Sequence, residues 1–147
     1  YFENVNICVL TNATLIHKKN ISDALKLVDE CMYKIDAGNE FMFQLINKPL
    51  GNQTLEKTVN HMINISKKIT IQSMFLKGEI DGVKFDSTNQ ENIKQWINII
   101  LKIKPEKVIL YSLDRATPAK HLVKIEKEVL TNIAKMLTPY NITTEVY

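Results

Sequence analysis

Cysteine is nearly absent from this chain. Cys8 and Cys31 stand apart, with no Cys-x-x-Cys spacing and no third cysteine, so neither a disulfide framework nor a zinc site is suggested, and a reducing, cytoplasmic setting is expected. No apolar run approaches the roughly 20 residues that cross a bilayer, so membrane insertion is not expected. No signal-peptide pattern precedes the first strand; the chain opens on Tyr1 rather than Met and reads as a piece of something longer. Clustered charge is missing too. Against 16 acids the 19 lysines and arginines leave a net +3, scattered rather than gathered on one face, so charge alone does not point to nucleic acid. His17, His61 and His121 show no ligand spacing and read as surface or helix-face residues. Asn-x-Ser/Thr triplets begin at Asn12, Asn20, Asn52, Asn64 and Asn141; an Asn-rich chain produces these by chance, and they matter only in a secreted protein. There is no internal repeat and no low-complexity segment.

What is present is a regular alternation of short apolar runs and amphipathic stretches. The 147 residues, 45% hydrophobic and 24% charged, suffice for one soluble globular domain, taken as residues 1–147. Val5–Leu10 reads as a buried strand stopped by Thr11-Asn12. A helix carrying Ile21, Ala24, Leu25 and Val28 runs down to Cys31. Cys31–Ile35 is a strand closed by Asp36-Ala37-Gly38, and a short helix around Phe41–Ile46 leads to Lys48-Pro49-Leu50-Gly51. Thr54 is the expected N-cap of a helix with Leu55, Val59, Met62 and Ile63 on one face. Ile69–Leu76 is a strand ended by Lys77-Gly78 and a loop over Glu79–Ser87. The spacing of Ile93, Trp96, Ile97, Ile100 and Leu101 predicts a helix over 89–103, stopped by Pro105. Lys107–Leu113 is a strand, Asp114–His121 a polar loop, and Ile125, Val129, Ile133 and Met136 line a last helix before a strand at Ile142–Val146.

Strand, helix, strand in succession implies right-handed crossovers and a parallel sheet with helices on its faces. That is either a doubly wound sheet or an arc of a barrel, and the pattern alone does not choose. In both, ligands bind where the strands end, so Thr11-Asn12, Lys34 to Gly38, Lys77-Gly78 and Asp114-Arg115 are expected at the functional edge.

Five runs together carry a resemblance: Val9-Leu10-Thr11-Asn12-Ala13-Thr14, Tyr33-Lys34-Ile35-Asp36-Ala37-Gly38, Ile46-Asn47-Lys48-Pro49, Ile71 to Gly78, and Tyr111-Ser112-Leu113-Asp114-Arg115. In order and spacing the set resembles the C-terminal part of the barrel in radical S-adenosylmethionine (radical SAM) proteins, nearest the iron–sulfur oxidoreductase branch with the wyosine-type tRNA-modifying enzymes. The resemblance runs from Val5 onward. It implies an α/β partial (β/α)6 TIM-like barrel with parallel strands, here a fragment missing its N-terminal barrel strands. It also implies a [4Fe–4S] cluster that cleaves S-adenosylmethionine to a 5′-deoxyadenosyl radical. The family's cluster loop is Cys-x3-Cys-x2-Cys, which this sequence lacks, so its ligands are expected outside the chain and the fragment itself is expected to be inactive.

The carry-over by residue follows the matching positions. Asn12 ends the family's third barrel strand, where an amide bonds the nucleotide or simply makes a turn. Asp36 ends the next strand, suited to ribose hydroxyls, and Lys34 projects from the same side toward the methionyl carboxylate or toward Asp36 itself. The activating-enzyme branch has Asp-x-Lys at this strand where this chain has Lys-x-Asp. Gln72 is polar inside an apolar strand and needs a partner, ligand or neighbour. Lys77-Gly78 lets backbone approach the adenine or makes a plain turn. Arg115 suits a carboxylate or phosphate, or a salt bridge to Asp114 or Glu79. Two readings follow: a piece of a radical SAM enzyme acting on RNA such as tRNA, a protein or a small molecule, with an open sheet edge through which the fragment self-associates; or a self-contained, non-catalytic α/β module binding a nucleotide or a partner.

Overall fold

The computed structural model describes residues 5–65, 69–115, 117 and 119–147. The strands are β1 (Cys8–Thr11), β2 (Glu30–Lys34), β3 (Thr70–Met74), β4 (Leu76–Ile80), β5 (Val83–Asp86), β6 (Lys107–Tyr111), β7 (Leu122–Lys124) and β8 (Thr143–Val146). The helices are α1 (Lys19–Leu25), α2 (Glu40–Asn47), α3 (Leu55–Ile63), α4 (Gln90–Ile103) and α5 (Lys127–Lys135). Local chemistry sets the helix ends. Asn39, Thr54 and Asn89 cap α2, α3 and α4 by accepting from the backbone N–H of Met42, Lys57 and Asn92, which satisfies donors that a first turn otherwise leaves bare. At the other ends of α2 and α4, Lys48 and Lys104 adopt left-handed geometry, and the prolines that follow them cannot continue a helix.

Five strands form one sheet in the order β1-β2-β3-β6-β8, and every neighbouring pair is parallel. The order never reverses. With right-handed crossovers, a sheet that grows in one direction receives all its helices on one side, whereas a doubly wound sheet reverses its order and has helices on both. The choice left open by the pattern therefore falls on the barrel arc, and the expectation of helices on both faces is corrected. Strand periodicity then sorts the side chains: Tyr33, Ile35, Ile71, Ser73, Val108 and Leu110 are buried in the core with Trp96, Ile100, Leu130 and Leu137. The opposite, inner face carries the aligned row Lys34, Gln72, Ile109 and Glu145.

The expected loop over Glu79–Ser87 is instead a hairpin. β4 pairs antiparallel with β5 on one side and with β7 on the other, making a second sheet from excursions that leave the C-terminal ends of β3 and β6. Asp81 and Gly82 form its two-residue turn, both with positive φ, the geometry that matches strand twist. Three further expectations shift. β1 is a half-exposed edge strand rather than a buried one, because it has a neighbour on one side only. α1 stops at Leu25 instead of running to Cys31. On α5 the buried stripe is Leu130, Ile133 and Ala134, continuing to Leu137, while Val129 and Met136 are exposed. Of the expected loop over 114–121, positions 116 and 118 lie outside the described residues.

Buried serines and one asparagine fasten the C-terminal edge. Ser73 donates to the Ile35 carbonyl and accepts from the Trp96 indole at 3.0 Å. Ser112 donates to the Phe75 carbonyl at 2.6 Å and accepts from Ile125 N–H at 2.8 Å. Asn92 accepts from Gly38 N–H at 2.8 Å and donates to the Ser87 carbonyl at 2.7 Å. Apart from the indole bond, each of these satisfies a backbone group that sheet pairing leaves open, and together they tie the strand ends to the loops and to α4.

Candidate functional site

Lys34 and Asp36 alternate in phase at the end of β2, so both side chains lie toward the inner face. The Lys34 ammonium stands 3.3 Å from Asp36 Oδ2 and 5.9 Å from the centre of the Tyr111 ring. The Asp36 side chain is 1% exposed. Its Oδ1 accepts from Met74 N–H at 2.9 Å and its Oδ2 from the Asn47 amide at 2.9 Å. Asp36 thus spends its oxygens on the chain's own donors: it joins β2 to β3 and α2, and fixes Lys34. Burial by itself would pull the Lys34 pKa down, but the Asp36 carboxylate and the Tyr111 hydroxyl outweigh it and hold the ammonium above its ordinary value. Burial first, then the Asp36 charge, pushes the Tyr111 phenol up, with Lys34 opposing.

Gln72 lies beside Lys34 in register. Its Oε1 is buried without a hydrogen-bond partner, as is Asn47 Oδ1. Two acceptors without donors are costly in a closed interior, and these two lie beside Lys34 and Asp36. Glu145, in the same row as Lys34 and Gln72, is met by the chain's own groups: Lys107 lies 3.4 Å from it and 3.9 Å from Glu30, and the Tyr147 hydroxyl donates to it at 3.0 Å. Thr70 bonds Glu30 at 3.4 Å. The Gln72 and Asn47 oxygens have no such partner, and the C-terminal end of the strands is where barrel enzymes bind ligands.

The other sequence-derived residues stand apart from this cluster. Asn12 is exposed, and its side chain accepts from the Thr14 N–H and hydroxyl in a local turn. Arg115 is exposed, and its neighbour Asp114 pairs with Lys124 at 3.3 Å. Lys77 and Gly78 belong to β4 rather than to a loop. A Cβ on Gly78 would stand 2.0 Å from the His121 carbonyl oxygen, and its φ is +140°; this glycine admits the chain's own β7 segment. Asn47 and Tyr111 are site residues that spacing did not single out. The first was visible only as part of the Ile46-Asn47-Lys48-Pro49 run, and the second only as the start of the Tyr111-Ser112-Leu113-Asp114-Arg115 run. Neither cysteine can join a cluster site: Cys8 is exposed, Cys31 is buried, and they sit on adjacent strands with opposite side-chain phase. Among the described residues no group of three or more His, Cys, Asp or Glu side chains converges on one point, so the residues present do not fit an iron–sulfur cluster. No described helix is long and apolar enough to cross a membrane.

No protein-family model matches the chain. It is 26% identical over 132 residues to the GTPase Obg of Brachyspira hyodysenteriae, covering 90% of this chain and 19% of that protein. It is 23% identical over 134 residues to a UPF0026 protein of Methanocaldococcus jannaschii, covering 88% of this chain and 40% of that protein. A UPF0026 protein of Synechocystis is 27% identical over 114 residues, with coverages of 75% and 40%. The chain therefore spans 19% to 40% of the length of these relatives. It contains no Gly-x4-Gly-Lys-Ser/Thr phosphate loop, and GTP hydrolysis remains a property named for the first relative. Among solved structures, a domain of pyruvate-formate lyase-activating enzyme from Bacteroides vulgatus superimposes with a TM-score of 0.70 at 14% identity, covering 97% of this chain and 81% of that one. A radical SAM methyltransferase from Sphaerobacter thermophilus gives 0.64 at 17%, with coverages of 96% and 40%. SuiB of Streptococcus suis, bound to precursor peptide SuiA, gives 0.57 at 16%, with coverages of 94% and 31%. At such identities the likeness is one of fold, and the fold is the α/β partial barrel seen in radical SAM enzyme domains.

Proposed function

We propose that this chain is the rear part of a radical SAM barrel and that its inner face binds S-adenosylmethionine. The observation that carries the reading is the set of Lys34, Asp36 and the unpartnered oxygens of Gln72 and Asn47 at the C-terminal end of an all-parallel arc. In this reading Lys34, oriented by Asp36, holds the methionyl carboxylate. Gln72 accepts from a donor of the same ligand. Met74, on the same face, offers a polarizable surface to the nucleoside. Asn12 and Arg115, exposed at the same end, face the substrate side, while Lys77 and Gly78 shape the hairpin above it.

In this reading a [4Fe–4S] cluster would supply the reducing chemistry that acts on bound S-adenosylmethionine. The cluster's thiolates would come from outside these 147 residues, and the chain alone would not react. The motif set favours the wyosine-type and activating-enzyme branches, with RNA, protein or a small molecule as substrate.

Binding is separable from chemistry. Saturation-transfer NMR with S-adenosylhomocysteine should show contact with the adenosyl protons, lost in Lys34→Ala and kept in Lys77→Ala. Absence of transfer at millimolar ligand, or equal transfer in both variants, would sink the assignment.

A further inference from the structure

A second site lies on the helix side of the sheet, away from the inner face. His17, in the turn between β1 and α1, and His61, in the last turn of α3, are 44 positions apart in sequence, yet their ring centres are 5.2 Å apart with planes tilted by 30°. Both line a cleft of about 250 Å³ with Tyr33, Ser22, Asn64 and Lys26. Each imidazole is carried on anchored backbone: Ile16 before His17 and Met62 after His61 are buried in the core. The Nδ1 atom of His61 is buried and has no hydrogen-bond partner, which a polar atom rarely tolerates unless something else supplies the contact.

We propose that His17 and His61 form a binding site for a divalent transition-metal ion of the zinc, cobalt, nickel or copper class. With each imidazole nitrogen about 2 Å from a tetrahedral ion, two ligating rings have centres roughly 5 Å apart, which is the separation found here. The cleft settles the class of ion. Its lining contains no carboxylate, so it offers little to calcium or magnesium, which demand charged oxygen ligands, whereas neutral imidazole suits the later first-row ions. Lys26, the charged group at its rim, is matched by Asp23 at 2.9 Å. Water and the side-chain oxygens of Ser22 and Asn64 are on hand for the remaining positions.

Co²⁺ titration reads both occupancy and geometry. The full chain should take up one ion with visible d–d absorption typical of nitrogen and oxygen ligation, displaced by Zn²⁺. His17→Ala and His61→Ala should each weaken uptake by about tenfold or more, beyond the effect of changes one shell further out; His121→Ala and Cys8→Ser should leave it unchanged. Acidification that protonates imidazole should release the ion. If a histidine variant fails to fold by circular dichroism, the Gln variant replaces it. Uptake unchanged by loss of both histidines, or a near-ultraviolet thiolate charge-transfer band, overturns the site. Neither result bears on the inner face.

Discussion

At Lys34 burial and charge pull in opposite directions, and charge wins. A cation whose folded pKa lies above 10.5 lends its stability in full below that value and loses it as pH rises through the folded pKa. A phenol held above 10.0, as Tyr111 is, acts with the same sign, because the unfolded chain gives up the proton first. Urea unfolding should therefore show stability falling as the solution passes from neutral into the range above pH 10, and Lys34→Met should flatten part of that fall. An unaltered alkaline limb would mean that the pair is not coupled to folding. Asn47 offers the opposite test. Asn47→Asp places a second carboxylate against the buried Asp36, and like charges at that distance cannot both stay ionised cheaply. The variant should lose about 1–3 kcal/mol at neutral pH, the range for a broken buried polar contact, and recover part of it on acidification. Asn47→Ala should lose a similar amount without recovery.

The elements show why some of this was legible and some was not. Caps and stops are local chemistry, so Thr54 and Asn89 announce α3 and α4, and the two-residue period alone places Lys34 and Asp36 on one side. Asn47 reaches Asp36 only through the way α2 packs, and His17 meets His61 only because the turn before α1 comes against the last turn of α3; neither contact leaves a spacing. The hairpin of β4 and β5 did leave one, the Asp81-Gly82 pair, but the apolar run from Ile69 reads as a single strand, and nothing local marks the bend at Phe75. A close approach between elements gives the prediction at this scale. A Cβ at Gly38 would stand 2.1 Å from the Asn92 carbonyl and 2.5 Å from Trp96 N, so α4 seats itself on the loop after β2 only because that side chain is absent. Gly38→Ala should cost about 1–3 kcal/mol, as overpacking does, measured by chemical denaturation, and should loosen the bonds from Asn92 and Trp96. An Ala variant as stable as the parent would show that this backbone contact has slack.

On the scale of the molecule, a parallel sheet with helices on one side has an inner face and two long edges still to satisfy. Parallel sheets are ordinarily covered on both faces, and here the inner one is lined by half-buried polar side chains. β1 and β8 end the sheet. β1 is the more exposed of the two in apolar terms, with Leu10 on it and Val5 and Ile7 just before it at 55–57% exposure. An edge with open N–H and C=O groups and apolar flanks templates pairing with another chain unless it is blunted by charge, proline or a bulge. The isolated chain should therefore self-associate as concentration rises, seen as an increase in mass by light scattering coupled to size exclusion. Leu10→Lys, which puts a charge on the edge without touching the helix-side core, should shift the equilibrium toward monomer. Association through the exposed α4–α5 side would instead be insensitive to Leu10 and would respond to Val129→Lys. A monomer that persists at high micromolar concentration would mean that the chain's own polar rows already keep β1 from finding a partner.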